Sequence, residues 1–251
     1  MRFFLGTHMP SWLTQTEVPL FISHLRLKDR KTMPVALGPW ALDSGAFTIV
    51  SSGKTFESAA IYAKAVRRYA EEIGGLEWCA PQDWMCEPFV LEKTGYTVAD
   101  HQRLTTHSYL DLRDEGAPVI PVLQGWTLAD YLRHADQYEN CGVVLASLST
   151  VGVGSVCRRQ STGEIEAILT TLAARGYRLH GFGVKTLGLR RYAHALSTAD
   201  SMAWSYRARN AGPQEGCTHK SCANCLRFAT AWRERLLAGI PDQQLSLGVA
   251  A

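Results

Sequence analysis

The chain has 251 residues, of which 46% are hydrophobic and 20% are charged, and its formal net charge is +3 at pH 7. This composition is typical of a folded globular protein and excludes a largely disordered chain. The weak positive charge allows a nucleic-acid partner, but the chain lacks the dense basic stripe of a protein that binds by charge alone.

The first residues do not resemble a signal peptide, because residues 1–9 carry Arg2 as their one basic side chain and only a short apolar run. No segment approaches the ~18 apolar residues that a membrane-spanning helix needs. We therefore expect no membrane partner and a cytosolic location, which would be the host cytoplasm if a phage encodes the chain. The seven cysteines are then expected to be reduced or metal-bound.

Short apolar segments predict eight strands, and amphipathic segments predict helices between most of them. The strands are expected at residues 2–5, 20–23, 40–43, 77–80, 119–123, 143–147, 178–183 and 200–204. The helices are expected at residues 55–73, 98–115, 128–137, 161–175, 187–195 and 222–238. This alternation predicts an α/β fold with a parallel sheet. Eight strands in a chain of this length favour a (β/α)8 TIM-type barrel over an open sheet.

Polar side chains lie at or just after the carboxyl ends of the predicted strands. Asp43 ends one strand, Asp83 and Gln124 follow two others, and Asp200 borders the last. Because active sites of such barrels lie at this end, the pattern predicts an enzyme. We interpret His180, which lies within a predicted strand, as a hydrogen-bonded strand histidine rather than a catalyst.

A cluster of metal-ligand side chains lies near the carboxyl end of the chain, where four potential ligands fall within nine residues. They are Cys217, His219, Cys222 and Cys225. Cys-x2-Cys spacing lets one loop chelate zinc, and four protein ligands close its tetrahedral shell. The sequence therefore predicts a structural zinc site in a subregion at residues 210–238 of a single barrel domain at residues 1–251.

Several motifs resemble, in order, those of the queuine tRNA-ribosyltransferases, which are tRNA-guanine transglycosylases. Residues 43–47 (Asp-Ser-Gly-Ala-Phe) are similar to the family's Asp-Ser-Gly-Gly-Phe/Tyr motif, and residues 82–88 resemble its base-reading aspartate loop. Further similar segments are residues 122–125, residues 151–154, residues 181–184, and Asp200 with the trailing Arg207 and Arg209. The opening residues 5–13 are closer to the phage and bacterial DpdA-like DNA deazaguanine transglycosylases.

The resemblance implies a pentosyltransferase that exchanges guanine for a 7-deazaguanine base, such as preQ0, in DNA. It implies Asp200 as a nucleophile that forms a covalent aspartyl-sugar intermediate, and Asp43 as the general acid/base. Implied substrate-binding residues are Phe47, Asp83, Gln124, Gly125, Gly152, Val153, Gly154 and Lys185. Implied nucleic-acid contacts are Arg158, Arg159, Arg207 and Arg209.

Three alternatives remain open at this point. The same residues serve a short tRNA-guanine transglycosylase that acts on tRNA. The chain is alternatively a non-catalytic subunit that binds nucleic acid, or a glycosylase that removes a base and leaves water to complete the reaction. The chain also departs from the tRNA enzymes, since His219 takes an internal place among the zinc ligands and two residues rather than one separate Asp83 from Cys86.

Overall fold

The computed structural model describes residues 1–159 and 161–240, which form an α/β fold. The strands are β1 (Arg2–Thr7), β2 (Leu20–Ser23), β3 (Trp40–Asp43), β4 (Leu76–Cys79), β5 (Val122–Leu123), β6 (Val151–Val153), β7 (Leu179–Gly181) and β8 (Thr198–Ser201). The α-helices are α1 (Ala46–Ser51), α2 (Ala59–Glu72), α3 (Pro88–Thr94), α4 (Val98–Asp114), α5 (Leu128–Asn140), α6 (Gly163–Ala174), α7 (Thr186–Tyr192), α8 (Ala203–Asn210) and α9 (Leu226–Ala238). Within these ranges, none of the helices combines the length and the apolar character needed to cross a membrane.

The strands form one curled sheet in the order β4-β3-β2-β1-β8-β7-β6-β5, and every neighbouring pair is parallel. A parallel bridge between Cys79 and Val119 also joins the end of β4 to the segment before β5. The prediction of a parallel sheet in an α/β fold is therefore confirmed. The strand order of the sheet also places β1 and β8, the first and last strands, side by side.

Alternate residues of the strands serve two separate apolar clusters. In β1, Phe3 and Leu5 pack with the helices, whereas Phe4 points to the opposite face. That inner face also carries Phe21 and Trp78 from neighbouring strands. Side chains of a strand alternate between faces, so the strand sequences determine which residues the curled sheet encloses.

The predicted strand at residues 143–147 is wrong. Val143 and Leu145 are buried, but they pack into the core around a 3-10 helix at Leu145–Ser147 instead of pairing with the sheet. The strand in this place is β6, which pairs with β5 and β7. The apolar residues of this segment reflect burial rather than strand pairing. A short apolar run alone does not distinguish a strand from a packed turn.

Several further boundaries differ from the predictions: the helix expected at residues 222–238 begins at Leu226, and the strand expected at residues 119–123 is only Val122–Leu123. The helix expected from residue 55 begins later, because Ser58 rather than Thr55 caps α2 by accepting the Ile61 N–H. The strand expected at residues 200–204 is β8, which ends at Ser201, and Trp204 already belongs to α8. The short helices α1, α3 and α8 were not predicted, because each spans only six to eight residues.

Candidate active site

A cavity of about 510 Å³ opens at the carboxyl ends of the strands. Predicted site residues that line it are Asp43, Phe47, Asp83, Gln124, Gly154 and Asp200. Three carboxyl groups from distant parts of the chain thus share one cavity. Its size is typical of pockets that hold small organic groups, which commonly measure roughly 300–1,000 Å³.

Asp43 reaches the cavity from the last position of β3. Ala41 faces the enclosed cluster, so the alternation of the strand turns Asp43 to the same side. Burial raises the pKa of Asp43, and the charge of Asp200 raises it further, whereas hydrogen bonds from the Gly45 N–H and the Ser23 hydroxyl lower it. Gly45 has a φ of +79°, and a Cβ there would meet the Leu25 side chain at 2.6 Å. This turn therefore needs glycine.

Asp200 lies within β8, where it pairs in register with Phe4. Its Oδ1 accepts a hydrogen bond of 2.9 Å from the Gly183 N–H. The Nε2 atom of the buried His180 lies 3.4 Å from the same oxygen, and His180 Nδ1 contacts the Thr198 hydroxyl at 2.8 Å. A Thr198 hydroxyl that donates to Nδ1 leaves the ring hydrogen on Nε2, facing Asp200. His180 is thus a hydrogen-bonded strand residue, as predicted, but it also contacts this carboxylate.

Asp83 follows β4 and accepts a hydrogen bond from the side-chain amide of Gln124. Burial raises the pKa of Asp83 to about 7, and the charge of Asp43 contributes to the increase. The hydrogen bond from Gln124 opposes this shift. Asp83 therefore changes its protonation state near neutral pH, which sets it apart from an ordinary surface aspartate.

The sequence did not single out Glu87 and Ser155, which also line the cavity. Glu87 is 2% exposed, and Ser155 follows Gly154 directly. The Ser155 hydroxyl lies 2.7 Å from Gln124 Oε1 and 3.0 Å from Glu87 Oε2. No signal in the sequence joins these residues, because Glu87 and Ser155 are 68 positions apart.

Aromatic rings and a guanidinium group meet at the mouth of the cavity. Phe47 is 40% exposed and Phe89 is 38% exposed. The guanidinium carbon of Arg158 lies 5.4 Å from the Phe47 ring centroid and 4.5 Å from that of Phe89. Flat surfaces of this kind suit the stacking of a nucleobase.

Four of the predicted substrate-binding residues do not line this cavity in the described part of the chain: Gly125, Gly152, Val153 and Lys185. Gly152 and Val153 form part of β6 rather than a loop, and the Gly152 N–H donates to the Pro121 carbonyl. A Cβ on Gly152 would lie 2.6 Å from the Phe182 ring, so packing explains that glycine. Lys185 precedes α7 and is exposed.

Of the four predicted nucleic-acid contacts, Arg159 is engaged by other residues of the protein, and the other three arginines are exposed. Arg159 is held over the Trp126 ring at 3.9 Å and forms an ion pair with Glu164 at 2.9 Å. Arg207 and Arg209 are exposed on α8, the helix that follows the strand of Asp200. With Arg158, these side chains place positive charge near the mouth and on the adjacent helix.

The predicted zinc ligands lie together in the loop before α9. The ligand atoms of Cys217, His219, Cys222 and Cys225 all lie within 4.8 Å of one another. Sulfur atoms around a tetrahedral zinc lie ~3.8 Å apart, given Zn–S bonds of ~2.3 Å, so this arrangement fits a metal ion. Asn224 from the same loop contacts His8 Nε2 at 2.7 Å, and His8 lines the cavity.

Comparison with known proteins identifies one family. Among curated proteins, none matches the chain significantly. The model of one family, described as DpdA, DeoxyPurine in DNA protein A, matches residues 1–249. Because the match spans nearly the whole sequence, the chain belongs to the DpdA family.

Proposed function

We propose that the protein exchanges a guanine base in DNA for a 7-deazaguanine base, such as preQ0. Membership of the DpdA family supports a DNA-modifying function related to deazapurines. The observation that carries the finer proposal is the shared cavity of Asp43, Asp83 and Asp200. Base exchange at a sugar carbon needs one carboxylate to attack and one acid to move protons, as in retaining glycosidases.

Asp200 is the proposed nucleophile. The Gly183 N–H and His180 both contact Oδ1, so they orient the carboxylate and leave Oδ2 for the anomeric carbon. Attack forms the bond from Oδ2 to C1′ while the bond from C1′ to guanine N9 breaks. The bond pair leaves with the guanine. The incoming base then attacks C1′ and releases Asp200 as a carboxylate.

Asp43 is the proposed general acid/base. Its pKa is raised mainly by burial, which favours the protonated form that a departing guanine requires. The proton passes from Asp43 to the leaving guanine, and the incoming deazaguanine later returns one proton to Asp43. Two carboxyl groups in different environments thereby take different roles.

Asp83 and Gln124 are the proposed base-reading pair. An ionised Asp83 presents oxygens that accept hydrogen bonds from the N1–H and N2–H groups of guanine. The base must first leave the helical stack to reach this cavity. The Phe47 ring at the mouth offers a surface on which the base stacks. The backbone N–H groups of Gly152 and Gly154 do not contact the base in this proposal, because they already donate to the Pro121 and Leu123 carbonyls.

The proposed DNA contacts are Arg158, Arg159, Arg207 and Arg209, whose charges suit phosphate groups.

We further propose that the curled sheet is a closed (β/α)8 barrel forming a single domain. The bridge between Cys79 and Val119 supports closure, because it joins the strands at the two ends of the sheet order. Lys185 and Gly125 do not line the cavity, and their roles as base contacts remain predictions.

We propose that the Cys217, His219, Cys222 and Cys225 cluster binds structural zinc. The donor set of three thiolates and one imidazole suits zinc, and four protein ligands leave no open position for chemistry. The metal would hold the loop that leads into α9. Through Asn224 it would also support His8 at the cavity wall.

Purified protein is expected to contain about one equivalent of zinc, because the four ligands complete one tetrahedral shell. Cys225→Ser is expected to lose the metal and to lower the unfolding temperature, since metal binding contributes folding free energy. Metal analysis and thermal unfolding measure both effects. Cys141→Ser, an exposed thiol outside the cluster, is the control. A wild-type zinc content below about half an equivalent would contradict the proposal.

An exchange assay tests the proposed function. The protein is incubated with radiolabelled guanine and either duplex DNA or tRNA, and unlabelled preQ0 is added in a parallel reaction. We expect label to enter DNA, and preQ0 to compete with it. Label in tRNA alone would show that the substrate is tRNA. Abasic sites without incorporation would identify a glycosylase, and no reaction with any substrate would leave only a binding function.

A further inference from the structure

Glu87 is a buried acid for which the proposed reaction has no role. It precedes α3, is 2% exposed and lines the cavity beside the base-reading pair. Burial raises its pKa, whereas the Ser155 hydrogen bond and the charges of Arg158 and Arg159 lower it. A carboxyl group in such a place requires a hydrogen-bond partner for either of its protonation states.

The hydroxyl of Ser155 lies between more acceptors than it can serve. It accepts the Cys86 N–H at 2.7 Å, and it lies near both Gln124 Oε1 and Glu87 Oε2. Because a hydroxyl has one hydrogen, it donates to only one of these two oxygens. All contacts are satisfied at once if Glu87 carries a proton and donates it to Ser155, which then donates to Gln124.

Gln124 is fully buried, and neighbouring residues hold both its backbone and its side-chain amide. Its backbone N–H donates to His134 Nδ1 at 2.8 Å, and its carbonyl accepts from Gln102 Nε2 at 2.7 Å. Gly154 presses on the amide, where a Cβ would lie 2.3 Å from Nε2. A half-turn of the amide exchanges its oxygen and nitrogen without moving the side chain.

The two amide orientations correspond to two protonation states of the buried acids. When Glu87 is protonated, Gln124 presents Oε1 to Ser155 and donates from Nε2 to Asp83, which is ionised. When Glu87 is ionised, Ser155 donates to it, and the turned amide donates to Ser155. The Gln124 oxygen then faces Asp83, which must carry a proton to donate to it.

We propose that Glu87 is a specificity-determining positioning residue, which shares one proton with Asp83 through Ser155 and Gln124. A base that donates from its N1–H and N2–H groups requires ionised Asp83, so its binding places the shared proton on Glu87. Purines and deazapurines with a guanine-like edge are selected in this way. This inference rests on the proposed function.

Other titratable or charged groups face this pair from the surrounding elements. They are Asp43, Tyr62, Cys86, His101, Asp130, Tyr131, His134, Tyr138, Cys157, Arg158 and Arg159. Burial raises the pKa values of these thiols and phenols and lowers that of His134 to about 3, so these groups stay neutral near pH 7. The arginines favour ionised Glu87, and Asp43 favours protonated Asp83. These charges favour the proton on Asp83 in the empty site, whereas the amide orientation in the structure, with Nε2 towards Asp83, is the one that accompanies ionised Asp83.

The pH dependence of guanine binding tests the shared proton. The empty site loses the shared proton as the pH rises through about 7, the pKa to which burial raises Asp83, and guanine binding then takes up one proton on Glu87. The dissociation constant of wild-type protein should therefore rise by up to about tenfold per pH unit between pH 7.5 and 8.5. In Glu87→Gln, the amide donates to Ser155 permanently, so binding takes up no proton and the constant should change little.

Equilibrium dialysis with radiolabelled guanine measures these constants. Ser155→Ala breaks the chain and should also lose the pH dependence, whereas Glu92→Gln, an exposed acid on α3, should keep it. A flat wild-type profile, or the same slope in wild type and Glu87→Gln, would overturn the inference while base exchange persists. Absence of both guanine binding and exchange in the wild type would overturn the proposed function and this inference with it.

Discussion

Asp200→Asn is expected to reduce base exchange by at least about 10³-fold, because the amide cannot form the bond to C1′. The variant should fold normally, since an amide oxygen still accepts the Gly183 N–H. Single-turnover incorporation of labelled guanine measures the loss. DNA affinity should change little, because the loss concerns bond formation and not the docking of the nucleic acid.

Asp111→Asn provides a matched control for this variant, since Asp111 is an exposed carboxylate on α4 away from the cavity. It should exchange bases at the wild-type rate. Undiminished exchange by Asp200→Asn would show that another group attacks the sugar. An equal loss in both variants would point to a nonspecific effect of the lost charge.

Asp43→Asn is expected to slow guanine release by about 10²–10⁴-fold, the range typical of losing a general acid/base. An amide has the size of the carboxyl group but cannot transfer the proton that the departing base needs. The pre-steady-state release of guanine from DNA measures this step directly. The variant should dissociate from DNA at the same rate as the wild-type protein.

The pH profile distinguishes proton transfer from a structural role of Asp43. Burial raises the pKa of Asp43. The rate of guanine release by the wild-type protein should therefore fall as the pH rises through this raised pKa, because the acid ionises. Asp43→Asn should lose this alkaline limb. Ser23→Ala removes a hydrogen bond that favours the ionised form, so it should move the limb to higher pH. A limb that stays in place in both variants would exclude Asp43 as the acid.

The strands that carry the site were predicted well where local pattern and packing agree. Residues 20–23 and 40–43 are β2 and β3 with the predicted bounds, because their apolar residues serve both faces of the sheet. The prediction for residues 143–147 failed because these residues are buried by packing against α5, without pairing to a strand. Pairing depends on the partner strands, which a local pattern does not contain.

The acids of the site were predictable for a different reason. Asp43, Asp83 and Asp200 each lie at or beside a strand, and the carboxyl ends of parallel strands meet at one edge. Glu87 and Ser155 were not predictable, because their contact depends on how the loop after β4 packs against the end of β6. Gly152 and Gly154 were expected to bind substrate, although close packing against Phe182 and Gln124 accounts for both glycines.

Capture of the covalent intermediate tests the central claim most directly. The protein is mixed with guanine-containing DNA without an incoming base, quenched under denaturing conditions and digested, and the modified peptide is sequenced by mass spectrometry. We expect a deoxyribose-linked DNA adduct on Asp200, absent from Asp200→Asn. An adduct on Asp43, or full exchange activity with no adduct on any residue, would contradict it.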